Sequence, residues 1–174
     1  CKLTLQMIDI TKQTEGQAGY RLSTELRLPA PRDEVFRFFS DAFQLERITP
    51  AWLRFSVVTP RPIEMRKGAL IDYKLRLHGI PIRWKTRISL WDPPHQFIDE
   101  QISGPYRQWI HLHTFTEANG VTICRDQVDY RSVGGRLVHW LFIERDLRAI
   151  FEYRHRVLLK LFTSGQIPEP IELA

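Results

Sequence analysis

The segment from Val133 to Phe162 limits most sharply what this chain can fold into. At helical spacing Leu137, Val138, Leu141, Phe142, Leu147, Ile150, Phe151, Val157, Leu158, Leu161 and Phe162 form one apolar stripe. Arg136, Glu144, Arg148, Glu152, Arg156 and Lys160 fall largely on the opposite side. Glu144 with Arg148, and Glu152 with Arg156, are i,i+4 pairs in the favoured order, acid first. Gly134-Gly135 gives a flexible entry, and Thr163-Ser164-Gly165 followed by Pro168 gives a stop. A helix over the whole segment would be about 40 Å long. It would span a small domain, so the residues before it must supply the surface on which it lies.

Those residues read mostly as strands. Tyr20 to Leu28 alternates, with Leu22, Leu26 and Leu28 on one face and Arg21, Ser23, Glu25 and Arg27 on the other. Pro29-Ala30-Pro31 ends it and opens a short apolar helix through about Asp41, with Asp33 and Glu34 suited to its first turn. A second short helix covers Phe43 to Ile48, and Trp52 to Val58 is expected as a short strand. Ala69 to Leu77 and Ile82 to Leu90 alternate cleanly; in the latter, Trp84, Thr86, Ile88 and Leu90 share a face. Strands follow at Phe97 to Ser103, Arg107 to Glu117 and Val121 to Arg131, the last two joined by the hairpin signal Asn119-Gly120. One apolar and one charged face per strand indicates a sheet wet on one side, hence antiparallel. The expected fold class is α+β: a curved antiparallel sheet of about seven strands around one long C-terminal helix, with two short helices after the first strand. A helix on a concave sheet leaves part of the concavity unfilled, so a cavity is expected between them.

The 174 residues fit one domain. Residues 1–19 read as a leader or edge segment, 20–163 as the domain and 164–174 as an extended tail. The formal charge of +5 raises the question of nucleic acid. The arginines are scattered, and the densest basic stretch, Arg61 to Lys67, is interrupted by Pro62 and Glu64, so no nucleic-acid partner is expected. No apolar run is long enough for a transmembrane helix. Two cysteines, Cys1 and Cys124, make no disulfide framework and fit a reducing, cytoplasmic setting. A start at Cys1 rather than Met reads as trimmed or processed.

Several stretches together resemble the helix-grip, START-like (SRPBCC) superfamily, and within it a bacterial, polyketide cyclase/dehydrase-like ligand-binding branch. They are Leu28-Pro29-Ala30-Pro31 leading to Glu34-Val35-Phe36, Ile48-Thr49-Pro50 with Trp52-Leu53, and Gly79-Ile80-Pro81 with Trp84. Further along come Phe97 through Gln101, Gly104-Pro105-Tyr106, the run Trp109-x-His111-x-His113-x-Phe115, and Arg125-Asp126 with Tyr130. The resemblance covers roughly residues 20 to 162 and implies a helix-grip fold with a hydrophobic pocket. It brings no catalytic motif, because the superfamily hosts carriers, cyclases, hydrolases and regulators alike. The chain departs from the branch at Ile110, where a histidine is expected, which weakens any three-histidine cluster.

His111 and His113 lie two apart on a strand and point to one side, together with Trp109 and Phe115. That side holds the two largest apolar groups and is the one expected to face inward. Asp126 on the next strand, grouped with Tyr130, and Asp99 with Gln101 on the preceding one could converge with the imidazoles. Tyr73, Leu75, Leu77, Trp84, Ile88, Phe142 and Phe151 are further candidates for a cavity lining. Three readings of the polar group stay open: mutually satisfied buried groups, recognition of the polar end of an apolar ligand, or acid–base or metal chemistry. No nucleophile motif, phosphate-binding glycine loop or paired-cysteine spacing is present, so no cofactor and no metal is expected. The leading functional expectation is a binding module for a small hydrophobic ligand such as a lipid, isoprenoid, aromatic or polyketide. The alternatives are a cyclase/dehydrase-type enzyme using His111 or His113 with Asp99 or Asp126, and a protein- or membrane-interaction domain with a basic surface. The segment Trp52 to Lys67 and the terminal helix are the expected gate.

Overall fold

A computed structural model describes residues 8–13, 19–134 and 138–164. Eight antiparallel strands form one sheet in the order β1-β2-β8-β7-β6-β5-β4-β3. They are β1 (Ile8–Gln13), β2 (Gly19–Leu28), β3 (Ser56–Val57), β4 (Leu70–Leu77), β5 (Ile80–Asp92), β6 (Gln96–Ser103), β7 (Gln108–Ala118) and β8 (Val121–Arg131). Helix α1 (Arg32–Phe39) and helix α2 (Gln44–Arg47) follow β2, and the long helix α3 (Glu144–Ser164) closes the described chain. The architecture is the α+β helix-grip arrangement, with one strand more than the seven expected. The extra strand comes from the leader segment, where Ile8–Gln13 pairs with β2 from Thr24 back to Gly19. The tail expected over 164–174 lies outside the described residues from Gly165 on.

Local chemistry explains where the elements start and stop. Pro31 stands in extended geometry immediately before α1, while Asp33 and Glu34 occupy its first turn and Arg37 its last. Asn119 and Gly120 both take positive φ, 53° and 74°, which the two-residue β7–β8 turn requires. The strand expected over Trp52 to Val58 shrinks to Ser56–Val57. Ala51–Leu53 forms a 3₁₀ turn, and Arg54 in the left-handed region (φ 45°) breaks any extended run through Trp52.

A β-bulge in β5 changes which residues face the interior. Ile88 pairs with Asp99, but the next register pair is Leu90 with Ile98, so Ser89 is the extra residue. Side chains beyond it exchange faces: Trp91 turns inward opposite Phe97 and packs against Phe36. Leu90 consequently leaves the face it was expected to share with Ile88.

The final helix also differs from its expected extent. A five-residue π-helical turn, His139–Ile143, precedes α3. Each extra residue per turn rotates the succeeding helix by roughly 100° relative to a continuous α-helix. Val138, Trp140, Leu141 and Phe142 are therefore exposed, while Leu147, Phe151, Val157 and Leu158 on α3 are buried. His139 anchors the turn, stacked on Tyr20 with its Nε2 2.8 Å from the Tyr130 hydroxyl.

The core splits into three clusters. Helix α1 and the C-terminal half of α3 pack with Leu26, Leu28, Phe97 and Phe115. The N-terminal half of α3 places Leu147 and Phe151 against Leu22, Trp109, Val128 and Tyr130. Ala42, Ile71, Tyr73 and Ile88 form the third cluster, on the β4–β5 side of the sheet. The long helix is absent from that third cluster, and the separation leaves open space between helix and sheet. On the outer face, charges pair across strands, as in Arg21 with Asp129, Arg125 with Glu25 and Arg87 with Glu100.

Candidate functional site

The open space is a cavity of about 180 Å³. Tyr73, Leu75, Leu77, Trp84 and Ile88 line it from β4 and β5. Leu147, Ile150, Phe151 and Arg154 line it from α3, while Phe38, Phe39 and Leu45 come from the short helices. Leu53, Phe55 and Met65 reach in from the loops around β3, the segment expected to act as a gate. Alternation along β7 turns Trp109, His111 and His113 inward, and all three meet the cavity.

Besides Asp126, four residues named from the sequence lie elsewhere. Phe115 and Tyr130 face inward but are sealed into the first and second core clusters. Phe142 stands on the π-helical turn, half exposed, edge-on to the His78 ring. Gln101 spends its amide on the β6–β7 loop: Nε2 donates to the Tyr106 carbonyl at 2.7 Å and Oε1 accepts from the Tyr106 N–H. That pairing holds Pro105 and Tyr106, which do line the cavity.

The polar group converges as the strand register requires. Asp99 stands opposite His111, and His113 opposite Asp126. His111 Nε2–H donates to Asp126 Oδ1 at 2.9 Å, and His113 Nε2–H donates to Asp99 Oδ2 at 2.8 Å. The remaining nitrogens face the other carboxylates. His111 Nδ1 is 3.6 Å from Asp99 Oδ2, and His113 Nδ1 is 2.9 Å from Asp126 Oδ1 but out of line for a hydrogen bond. Thr24 adds a long contact to Asp126, 3.4 Å. The imidazoles overlap with centroids 3.7 Å apart, and Phe97 stacks on the outer side of His113. Asp99 and the two histidines present donor atoms within 4.8 Å of one another, a set that could hold a cation. In this structure the ring nitrogens of both histidines face carboxylate oxygens of Asp99 and Asp126.

A family model described as polyketide cyclase / dehydrase and lipid transport matches residues 28–153. The chain belongs to this family. No curated protein matches it in sequence. Solved structures of the same fold include protein Ms6760 from Mycobacterium smegmatis, 18% identical, with 91% of this chain and 98% of that one covered at a TM-score of 0.65. A protein from Arthrobacter aurescens is 12% identical over 87% of this chain and 90% of its own, at a TM-score of 0.67. The ginseng major latex-like protein 151 from Panax ginseng is 11% identical over 82% and 97%, at 0.61. At these identities the likeness concerns the fold. Among the described residues, no helix is long and apolar enough to cross a membrane.

Within this cyclase-family cavity the charges are unevenly poised. Burial alone would lower the pKa of His113, but the carboxylates of Asp126 and Asp99 outweigh it and raise it to about 9. Burial and the neighbouring His113 charge push His111 the other way, so its imidazole is held neutral. Burial would raise both carboxyls; the imidazoles instead hold Asp126 well below its ordinary range and lower Asp99. Asp126 sits behind the imidazoles, outside the cavity lining, whereas Asp99 reaches the wall.

Sequence reasoning misses Arg154. It follows Ile150 and Phe151 by four and three residues, on their side of α3, and its guanidinium lies 5.0 Å over the Phe151 ring. That phase is the available signal: a cation inside an apolar stripe. The indole N–H of Trp84, in the cavity wall, donates to Thr86 on its own strand, 3.1 Å away.

Proposed function

We propose that the protein binds one small hydrophobic molecule with a polar end in the cavity between α3 and β4–β7. The observation that supports this most directly is the cavity itself, about 180 Å³ lined mainly by aliphatic and aromatic side chains. Each buried water needs several polar partners, and this wall offers few, so an apolar guest fits it better than solvent. Asp99, His111, His113 and Arg154 supply the polar end. The loops that carry Leu53, Phe55 and Met65 form the entrance. The test is titration with the uncharged probe N-phenyl-1-naphthylamine. Saturable one-to-one fluorescence enhancement is expected, weakened at least about tenfold by the cavity-filling substitution Leu75→Trp and unchanged by the surface substitution Ile80→Trp. Absence of saturation, or equal effects of the two substitutions, would sink the reading.

One observation favours a second reading, proton transfer on a bound carbonyl compound. His111 is neutral, reaches the cavity and is held through Nε2 by an ionised carboxylate, the arrangement of an oriented general base. In that reading, His111→Ala abolishes turnover while probe binding and folding persist. Loss of folding in that variant instead assigns the cluster a structural role.

A further inference from the structure

Among the described residues, Arg154 is the one arginine or lysine in the cavity wall, and its surroundings leave it without a match. Its Nε is buried and has no hydrogen-bond partner. Among the described residues no carboxylate lies within ion-pair distance of its guanidinium. The nearby acids, Asp99 and Asp126, are engaged with His111 and His113. They attract Arg154 from beyond ion-pair range, and burial works against its charge. An uncompensated guanidinium in a mostly apolar wall costs stability unless something pairs with it.

The planar fork of a guanidinium matches a carboxylate through two parallel N–H···O bonds. The wall offers one such fork among the described residues, which matches a single carboxylate on the ligand. We propose that the ligand of this cavity is an apolar monocarboxylate whose carboxylate is received by Arg154, with its hydrophobic body along Phe151, Leu147 and the β4–β5 wall. This rests on the binding reading above and adds the chemical class of the ligand.

The test compares decanoate with decan-1-ol, followed through the fluorescence of the cavity tryptophans Trp84 and Trp109, in wild type, Arg154→Met and Arg154→Lys. Wild type is expected to prefer the acid at least about tenfold, as a charge-assisted bidentate pair should confer. Arg154→Met should abolish that preference while holding the alcohol within about twofold of its wild-type affinity. Arg154→Lys, which keeps the charge but not the fork, should retain only part of the preference, and it serves alone if the methionine variant fails to fold. Equal binding of acid and alcohol by wild type overturns the carboxylate assignment and leaves the cavity reading standing. A full preference surviving in both variants overturns the role of Arg154. If neither compound binds, the cavity reading falls and this assignment with it.

Discussion

At the scale of single residues, the buried cluster beside the cavity is governed by how Asp99, His111, His113 and Asp126 divide their protons. His113 sits between two carboxylates with its pKa raised to about 9 from an ordinary value near 6.5. The folded state therefore binds a proton that the unfolded chain releases between those values. Its stabilisation is full below about pH 6.5 and is lost as pH rises through 9, a change on the order of 3 kcal/mol. The lowered pKa values of His111, of His139 and of His155, a buried residue on α3, act in the opposite direction, because the unfolded chain takes up protons below about pH 6.5 that the folded protein resists. Asp99 and Asp126, lowered in the fold, add to the loss at more acid pH. Urea unfolding across pH 5 to 9 should show maximal stability near pH 6.5. His113→Gln should flatten the alkaline limb and also weaken the acid limb, because the His113 charge helps to hold His111 neutral and Asp99 and Asp126 ionised. An alkaline limb unchanged in that variant would show that the two carboxylates do not hold the proton on His113.

At the scale of elements, the strands of the sheet were largely legible because each has one buried and one wet face. Trp109, His111, His113 and Phe115 could be assigned to one side from alternation alone. The departures arise where one residue is inserted into a period. Ser89 bulges out of β5 and exchanges Leu90 for Trp91 on the inner face. The π-helical turn at His139–Ile143 does the same to the helical stripe, and so Phe142 drops out of the candidate lining. Neither insertion leaves a hydropathy signature, because the residues around it are apolar in either phase. The phase change predicts contrasting substitutions on what reads as one stripe. Phe142→Ser should alter stability by no more than about 0.5 kcal/mol, as expected for a surface site. Leu158→Ala, in the first core cluster, should cost about 2–5 kcal/mol in chemical denaturation. Similar losses at both positions would mean that the stripe is continuous in solution.

At the scale of the whole molecule, the long helix covers one side of a curved sheet and leaves the other side of the concavity open. The sequence stated the helix, the sheet and the family resemblance, because each involves many residues in a regular pattern. It stated the site less completely. Asp99, His111, His113 and Asp126 could be brought together by counting along neighbouring strands. Arg154 could not, because its position depends on how α3 is rotated over the sheet, and that rotation is set by packing at Leu147, Phe151 and Leu158. The sealing of Phe115 and Tyr130 away from the cavity likewise depends on α1 and the π-helical turn, whose docking no strand pattern specifies. The central claim is that this helix and sheet enclose a place for a hydrophobic guest. Native mass spectrometry of the protein isolated from its own cells tests it most directly. A single small-molecule adduct, one per chain and released on denaturation, is the result predicted; a spectrum showing only the bare polypeptide mass, unchanged after exposure to apolar compounds, would contradict it.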